Sequence, residues 1–256
     1  MPFIRGYYRL CLSLVALAFG ATLVIITSYL PFKIGEYQLS HWLLQWVGRA
    51  ILRTVNIRVV SDDQAVMQKH HGFFFPNHVS YIDILVLISV APTRFLAKAE
   101  VRKMPFVGMA AQAVGCVFVK REDKQSRIQA RHVLAAMTEY FPAVTIFPEG
   151  RRSETHELLP FRYGAFEIAV QGEIPILPCL ITYDRPDLII WPRKQNVFKG
   201  VLTLASRARQ PIVARVTALP AIYPTQTDNP VALSQEAHAQ MTAVYQQIWP
   251  LEPTAN

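Results

Sequence analysis

An α/β fold with a central mixed sheet is predicted by three features of this sequence. After residue 57, short runs of β-branched and aromatic residues alternate with segments whose apolar residues recur at helical spacing. Polar residues directly follow several predicted strands, and open α/β sheets bind ligands at the carboxyl ends of their strands. No repeat, low-complexity segment or long linker divides the region. We therefore predict a single α/β domain over residues 57–256, preceded by a membrane-associated two-helix anchor over residues 1–56.

The first element of the anchor is an apolar helix over residues 10–30. No charged side chain interrupts Leu10 to Leu30, and Arg5, Arg9 and Lys33 flank the run. About 20 apolar residues suffice to cross the hydrocarbon core of a bilayer. No convincing small-residue cleavage site follows the run, so we expect the helix to be retained.

The second element of the anchor is an amphipathic helix over residues 39–55. Its apolar residues recur at helical spacing, and its tryptophans, Trp42 and Trp46, suit the lipid interface. Its polar side chains fall largely on the other side, namely His41, Gln45, Arg49 and Arg53. The same pattern is typical of a helix packed on a protein core, so this alternative stays open.

The remaining elements follow from local periodicity and from Gly and Pro punctuation. Strands are expected at 57–60, 72–76, 94–97, 116–119, 143–147, 176–182, 201–205 and 212–217. Helices are expected at 80–90, about 101–113, 123–140, 164–170 and 232–249.

The segment from Phe74 to Asp83 delivers a histidine from the end of a buried strand. His78 and Asp83 are expected on the turn from strand 72–76 into the next helix, where the two side chains can meet. An aspartate that accepts the Nδ1 proton fixes the imidazole tautomer and leaves Nε2 free to take a proton from a hydroxyl. The alternative is an ordinary histidine near a helix cap.

Two further predicted strands end in cations. The strand at 143–147 leads to Glu149, Gly150, Arg151, Arg152 and Ser153, and the strand at 116–119 follows Gly115, contains Phe118 and leads to Arg121. The planar fork of arginine matches a phosphate or a carboxylate, and a glutamate can hold a guanidinium or a substrate hydroxyl. Either segment alone is also compatible with a strand end that carries solvated charges.

Taken together, the three blocks resemble the glycerolipid acyltransferase family, which includes the 1-acylglycerol-3-phosphate acyltransferases. The resemblance covers roughly residues 70–182. The family's first motif is matched by Asn77, His78 and Asp83, and its second by Gly115, Phe118 and Arg121. Its third is matched by Phe147, Pro148, Glu149, Gly150, Arg152 and Ser153. Lys120 and Arg151 depart from the pattern and add positive charge near the expected acceptor head group.

The resemblance implies direct acyl transfer, with His78 and Asp83 as catalytic residues. His78 would take the proton from the free hydroxyl of a lysophospholipid, and Asp83 would orient and stabilise the imidazolium. The alkoxide would attack the thioester of acyl-acyl carrier protein or acyl-coenzyme A, which are co-substrates, with no further cofactor. The substrate-binding residues expected on this basis are Asn77, Lys98, Gly115, Phe118, Arg121, Glu149, Gly150, Arg151, Arg152 and Ser153.

The acceptor expected from the arginines is 1-acylglycerol-3-phosphate, which would give phosphatidic acid. A lyso-ornithine lipid or another lysophospholipid would use the same catalytic pair. Two alternatives of another class stay open, a non-catalytic lipid-binding membrane protein and a hydrolase that uses the dyad on water.

Composition limits the partners and the compartment. A net charge of +8 favours anionic lipid and phosphate groups, and no nucleic-acid-binding motif accompanies the basic residues. Three cysteines without paired spacing indicate a reducing compartment, and His70 and His71 are interpreted as exposed loop histidines, with no metal site. The basic residues that flank the apolar run are nearly balanced, so they set no orientation. If the run crossed with its N-terminus in the cytoplasm, the catalytic residues would face away from cytosolic acyl donors. We therefore expect a helical hairpin in one leaflet of the inner membrane, with the catalytic domain facing the cytoplasm, which resembles the two-helix anchor of the family.

Overall fold

The computed structural model describes residues 2–137, 141–155, 157–192 and 194–249. The chain begins with two helices, α1 (Pro2–Ser28) and α2 (Leu39–Thr54), joined by a hairpin of strands β1 (Lys33–Ile34) and β2 (Tyr37–Gln38). Gly20 lets Val47 approach the backbone of α1, and the hydroxyls of Ser13 and Thr54 hydrogen-bond at 2.5 Å. These contacts make the two helices antiparallel.

A seven-stranded sheet and its covering helices follow. The strands are β3 (Ile57–Val60), β4 (Phe73–Pro76), β5 (Arg94–Lys98), β6 (Val117–Val119), β7 (Val144–Thr145), β8 (Ile176–Tyr183) and β9 (Ile212–Ala218). The helices are α3 (Gln64–Lys69), α4 (Ile82–Val90), α5 (Val107–Ala113), α6 (Lys124–Ala135), α7 (Tyr163–Gly172), α8 (Pro186–Ile189), α9 (Val197–Arg207) and α10 (Pro230–Ile248). A 3₁₀ helix, Ala99–Lys103, lies between β5 and α5.

The strand order is β3-β9-β8-β4-β7-β5-β6, which places β4 at the centre of the sheet. Strands β8, β4, β7, β5 and β6 are parallel, whereas β9 runs antiparallel to β8 and β3 is parallel to β9. The sheet is therefore mixed, and the predicted α/β class is confirmed. Because β4 lies between two parallel neighbours, the residues after Pro76 emerge at the middle of the carboxyl edge, where ligands bind in such sheets.

Helices cover both faces of the sheet, and the side chains of β4 alternate between them. Phe74 packs into the core under α4 and α9, whereas Phe73 and Phe75 pack into the core under α6 and α7. All three rings are fully buried, and burial of such a side chain contributes about 1.5–3 kcal/mol. The phenylalanine run therefore fixes the position of the strand that carries the histidine.

Three predicted elements differ from the observed ones. The apolar helix predicted over residues 10–30 begins earlier and ends earlier, at Pro2–Ser28. Residues 201–205 were predicted as a strand but lie inside α9, whose start is capped by the Asn196 side chain accepting the Phe198 N–H at 2.8 Å. The apolar residues of this run alternate as they do in a strand. The Asn196 cap favours a helix instead, and the segment is helical. The predicted helix at about 101–113 is interrupted at Pro105 and at Phe106, which adopts a positive φ of 59°. Part of the predicted helix at 123–140 lies outside the described residues.

Helix α1 is long and apolar enough, by length and composition, to cross a membrane between Phe3 and Ser28. One side of it packs on protein: Gly6 lies against Ser206 of α9, and Val24 lies in a cluster with Ala110 of α5. The other side exposes a continuous set of large apolar side chains, namely Phe3, Ile4, Tyr7, Tyr8, Leu12, Val15, Phe19 and Ile26. The helix is thus attached to the domain along much of its length.

Helix α2 packs on the domain through residues that were assigned to its polar side. Gln45 is buried and donates to the carbonyls of Ser89 and Val90 at 3.3 and 3.0 Å, and His41 is buried as well. Trp46, in contrast, is 70% exposed. The inner side of α2 therefore packs on the core, as the alternative interpretation had it. The two bonds from Gln45 compensate the burial of its amide, whereas both ring nitrogens of His41 are buried without a hydrogen-bond partner among the described residues.

Candidate active site

His78 and Asp83 meet at the carboxyl end of the central strand. β4 ends at Pro76 and α4 begins at Ile82, so both residues lie where the chain turns from strand to helix. His78 Nδ1 is 2.9 Å from Asp83 Oδ2, and the His78 side chain is largely buried. Nε2 makes no hydrogen bond to any described residue, so it is the ring nitrogen that can receive a proton.

Asp83 is fully buried and is held by three further donors. Its Oδ2 accepts the backbone N–H groups of Val79 and Ser80, both at 2.8 Å, and its Oδ1 accepts the Tyr183 hydroxyl at 2.7 Å. Such donors compensate the burial of a carboxylate and fix its orientation. The carboxylate can therefore hold the Nδ1 proton of His78 in place.

Tyr183 is a site residue that the sequence did not reveal. It lies at the end of β8, a hundred residues from its partner, and the only local signal is its place at the end of a strand. Burial, and then the charge of Asp83, raises the pKa of Tyr183 well above its ordinary value. The phenol therefore stays protonated and acts as a permanent donor to Asp83.

The segment after β7 is attached to the backbone of His78. Glu149 Oε1 accepts the His78 N–H at 2.8 Å, and the Ser153 N–H donates to the His78 carbonyl at 2.7 Å. The Phe147 ring stacks on the imidazole, with ring centroids 3.9 Å apart. The third motif thus fixes His78 through its backbone N–H, its backbone carbonyl and one face of its imidazole ring.

Three of the predicted substrate-binding side chains have protein partners. The Asn77 amide pairs with the backbone of Ile181, donating at 3.1 Å and accepting at 2.7 Å. Glu149 also accepts the Leu159 N–H at 3.1 Å, and the Ser153 hydroxyl donates to the Glu157 carbonyl at 3.0 Å. All three are buried. The geometry gives them positioning contacts, and a contact with substrate stays a prediction.

Glu149 is expected to make stability depend on pH. Burial, reinforced by the charge of Asp83, raises the pKa of Glu149 to about 8, from 4.5 for a free side chain. The folded state thus binds an extra proton, so the stabilisation is complete below about pH 4.5 and is lost as the pH rises through about 8. In denaturant unfolding, the wild type should lose a few kcal/mol more than Glu149→Gln between about pH 5 and pH 8. Parallel profiles for the two proteins would contradict proton uptake by Glu149.

Arg121 lies beside the third motif, at the end of β6. Its Nη1 donates to the Gly150 carbonyl at 2.5 Å, and Arg127 Nη1 donates to the Arg121 carbonyl at 2.6 Å. Gly150 has a φ of +71°, a conformation that favours glycine, whereas a Cβ there would meet only the flexible side chain of Arg162, with Nε at 2.6 Å. Burial, and then the charge of Arg162, lowers the pKa of Arg121. The guanidinium groups of Arg121 and Arg162 therefore lie close enough to repel each other. An anion bound between them would compensate this repulsion.

Arg152 has different neighbours from Arg121. It is buried, donates to the Trp191 carbonyl at 3.0 Å, and lies 4.4 Å from the centroid of the Tyr81 ring. Lys98 is exposed and pairs with Glu100 at 3.3 Å, and Arg151 is exposed too. The four cations that were expected to bind substrate, Arg121, Arg152, Lys98 and Arg151, are therefore distributed over separate environments. Of the remaining predicted residues, Gly115 forms a turn before β6 with a φ of +79°, and the Phe118 ring lies under Arg102.

A cavity of about 570 Å³ adjoins the dyad, and we call it the basic cavity. Its wall is largely apolar, and four arginines line it: Arg121, Arg127, Arg131 and Arg162. Arg131 forms an ion pair with Glu167, whereas no carboxylate among the described residues lines the cavity. Phe147 lines it and stacks on His78, so only one ring separates the cavity from the imidazole. Arg127 and Arg131 were missed as site residues, although their i, i+4 spacing on α6 puts them on one helix face.

Metal ligation finds no support within the described parts of the chain. No three His, Cys, Asp or Glu side chains there are placed to hold a metal ion. His71 is exposed as expected, but His70 is half-buried and stacks on Phe74 with centroids 5.5 Å apart. The packing of Phe74 against the imidazole explains the lower exposure of His70.

Comparison with known proteins places this geometry in a family. The acyltransferase family model matches residues 57–182. The chain is 31% identical to the 1-acyl-sn-glycerol-3-phosphate acyltransferase of Saccharomyces cerevisiae over 184 residues, which are 69% of this chain and 60% of that protein. It is 30% identical to the lyso-ornithine lipid O-acyltransferase of Pseudomonas aeruginosa over 193 residues, 74% of this chain and 71% of that protein.

The fold is also that of a solved structure. The 1-acyl-sn-glycerophosphate acyltransferase PlsC of Thermotoga maritima superposes with a TM-score of 0.73, covering 99% of this chain and 100% of that one at 19% identity. At 19% identity the superposition shows a shared fold and nothing about function. The alignment with the Pseudomonas protein extends well beyond the motifs and over most of both sequences. The chain therefore belongs to the glycerolipid acyltransferase family.

Proposed function

We propose that this protein transfers a fatty acyl group from a thioester to the free hydroxyl of a lysophospholipid. The observation that carries the proposal is the 2.9 Å contact between His78 Nδ1 and a fully buried Asp83, which leaves Nε2 as the free basic atom. A base that is oriented in this way is suited to activating a hydroxyl. The yeast relative is named for such a transfer to 1-acyl-sn-glycerol-3-phosphate.

In the proposed mechanism the acceptor hydroxyl attacks the thioester carbonyl directly. Nε2 of His78 takes the proton as the acceptor oxygen bonds to the thioester carbonyl carbon, and Asp83 stabilises the imidazolium through Nδ1. Collapse of the tetrahedral intermediate breaks the carbon–sulfur bond, and the imidazolium returns its proton to the leaving thiolate. No covalent acyl-enzyme and no metal or other cofactor is needed. The donor is acyl-acyl carrier protein or acyl-coenzyme A.

The acceptor that best fits the basic cavity is 1-acylglycerol-3-phosphate. Arg121, Arg127 and Arg162 offer planar forks to a phosphate, and the apolar wall beside them suits an acyl chain. A lyso-ornithine lipid is the second candidate, since the Pseudomonas relative named for that substrate aligns over 71% of its own length. The carboxylate of such a lipid would also be bound by arginine forks.

A panel assay with purified protein tests the proposal. Each lyso-acceptor is offered with acyl-acyl carrier protein and with acyl-coenzyme A, and the acylated product is quantified. Conversion of lysophosphatidic acid to phosphatidic acid supports the first acceptor, and conversion of lyso-ornithine lipid alone supports the second. Thioester consumption without any acylated acceptor would instead support a hydrolase.

Arg121→Lys should separate binding from chemistry. Lysine keeps the charge but lacks the planar fork, so the acceptor KM should rise more than kcat falls, with the donor KM nearly unchanged. Arg121→Ala should lower kcat/KM by about ten- to a hundredfold, because charged hydrogen bonds contribute about 1.5–3 kcal/mol. Arg209→Lys, at an exposed arginine that lines neither the basic cavity nor the dyad, is the matched control. A rise confined to the donor KM would move Arg121 to the donor end of the site.

We further propose that α1 and α2 form a monotopic anchor over residues 1–56, with the α/β domain over residues 57–256 in the cytoplasm at the inner membrane. The outer side of α1 carries the exposed apolar residues, whereas its inner side packs on α2, α5 and α9. If α1 crossed the bilayer, it would draw these elements, with Lys199 and Arg207 on α9, into the hydrocarbon. A helix lying in one leaflet avoids that penalty.

Removal of residues 1–56 should release the protein from membranes or leave an insoluble core. The change removes the exposed apolar side of α1 and also uncovers the residues that α1 and α2 shield, such as Ile88. Membrane flotation and solubility measure the result. A cysteine placed near residue 230 decides the topology: reaction in intact cells only with a reagent confined outside the cytoplasm would contradict the cytoplasmic domain.

A further inference from the structure

A second arginine-lined groove lies between α2, the end of α4 and the edge strand β3. Its volume is about 530 Å³, and we call it the arginine groove. Three arginines line it, Arg49, Arg53 and Arg58. Polar side chains such as Ser61 and the C-terminal end of α4, Ser89 and Val90, complete the wall. Within the described parts of the chain, no carboxylate lines the groove. The groove therefore concentrates positive charge at a place where no motif of the acyltransferase site lies.

The charges of the groove are not neutralised by the described part of the protein. Arg49 is half-buried and donates to the Ser89 carbonyl at 2.8 Å, whereas Arg53 and Arg58 make no ion pair with a described residue. Burial, and then the charge of Arg53, lowers the pKa of Arg49. An anion bound between the guanidinium groups would relieve the repulsion and satisfy their free donors.

Ser61 gives independent evidence for a ligand in this groove. It lines the groove, and its hydroxyl is buried without a hydrogen-bond partner among the described residues. Most buried polar groups are paired, so an unpaired hydroxyl calls for an explanation. The hydroxyl is closed off from solvent in this conformation, and a change of the Ser61 χ1 rotamer would turn it towards the groove, where an anionic oxygen can accept its proton.

The groove is separate from the catalytic dyad. It touches the last residues of α4, Ser89 and Val90, whereas Asp83 lies in the first turn of the same helix. Asp83 and Ser89 are six residues apart, which is about 9 Å along a helix. Neither His78 nor Asp83 lines the groove. A ligand there would be held by the anchor and the sheet edge together.

The position of the arginines on α2 indicates where the anion comes from. Trp46, Arg49 and Arg53 follow one another at spacings of three and four, so they share one side of the helix. Trp46 is 70% exposed, and exposed tryptophan beside arginine is typical of the lipid interface. On the antiparallel α1, large apolar side chains are exposed as well, Tyr7 and Tyr8 among them. Trp46 thus places an exposed side chain suited to the lipid interface on the same side of α2 as Arg49 and Arg53 of the groove.

We propose that the arginine groove binds the phosphate group of an anionic membrane phospholipid, as a lipid site distinct from the acceptor site. Arg53 and Arg58 supply the forks at the open side, Arg49 lies deeper, and Ser61 donates from the wall. The site would fix the α2 end of the anchor against the head groups while the apolar side of α1 enters the leaflet.

Vesicle binding by the full-length protein tests this site. Cosedimentation is measured with phosphatidylcholine vesicles and with mixed phosphatidylcholine–phosphatidylglycerol vesicles. The double change Arg53→Gln and Arg58→Gln should weaken binding to the mixed vesicles by at least about tenfold and leave binding to phosphatidylcholine nearly unchanged. The charge-matched control changes two exposed lysines on other elements, Lys124→Gln and Lys194→Gln, and should lose much less. Ser61→Ala should lose severalfold without any change of net charge.

The variants also separate a lipid phosphate from a soluble one. Thermal unfolding confirms that each variant is folded, and it is repeated with inorganic phosphate. Equal losses for the groove and control pairs would overturn the proposal, since they would reflect only overall charge. A rise of Tm with inorganic phosphate that needs Arg53 and Arg58, combined with unchanged vesicle binding, would overturn the lipid assignment in favour of a soluble phosphate.

Discussion

His78→Ala is expected to lower kcat/KM for acyl transfer by about 10²–10⁴-fold, because it removes the positioned base. Alanine leaves the imidazole site empty but retains the backbone N–H and carbonyl that Glu149 and Ser153 hold. Asp83 keeps its two backbone donors and the Tyr183 hydroxyl, so its buried charge stays compensated. Membrane association and the fold should therefore persist. Initial rates with saturating donor and varied acceptor measure the effect.

The matched control is His132→Ala, which removes an exposed histidine from α6. Near-normal turnover in His78→Ala would refute the assignment of the base. Loss of turnover with unchanged vesicle and acceptor binding would separate the enzyme from a non-catalytic lipid-binding protein. A chelator is added in parallel, since activity abolished by EDTA and restored by zinc would revive a metal mechanism.

Asp83→Asn is expected to lower kcat by about 10²–10⁴-fold with little change in the acceptor KM. The N–H groups of Val79 and Ser80 both require an acceptor at the Oδ2 position, so the amide oxygen should stay there, next to Nδ1 of His78. The tautomer would then survive, but a neutral amide cannot stabilise the imidazolium that forms as the hydroxyl is deprotonated. The loss should therefore appear in the chemical step.

Tyr183→Phe is the graded companion to Asp83→Asn. It removes one donor to Asp83 and leaves the carboxylate charge and both backbone bonds in place. We expect a loss of only severalfold in kcat, measured under the same conditions. An Asp83→Asn enzyme with turnover near that of the wild type would show that the carboxylate is not needed.

The part of the site that could be predicted is the part whose partners are close in sequence. His78 and Asp83 are five residues apart on one turn, so their spacing and the flanking periodicity sufficed to place them together. Tyr183 and the Asn77–Ile181 pair depend on β8 lying beside β4. Strand order is set by the packing of the whole sheet, and no local pattern carries it.

The arginines show a different limit of sequence reasoning. Arg121 and Arg152 lie on the loops that follow β6 and β7, which suggested a common target, but their side chains donate to the carbonyls of Gly150 and Trp191 respectively. Long side chains have many rotamers, so the position of the backbone does not fix the position of the guanidinium. The prediction of a strand at 201–205 was wrong as well. The apolar residues there alternate as in a strand, but they lie on helix α9, which Asn196 caps.

The bond from Tyr183 to Asp83 has a consequence for how this chain becomes active during folding. It closes a separation of a hundred residues and requires that β8 has already paired with β4. Contacts of such long range form late, because the entropy of closing the loop must be compensated by the contacts that follow. A fragment that ended at residue 182, where the family match stops, would contain every motif residue and lack this bond. Before β8 pairs with β4, the dyad can therefore form on its local turn with the two backbone donors to Asp83 but without the Tyr183 donor, and we expect its turnover at that stage to be severalfold lower.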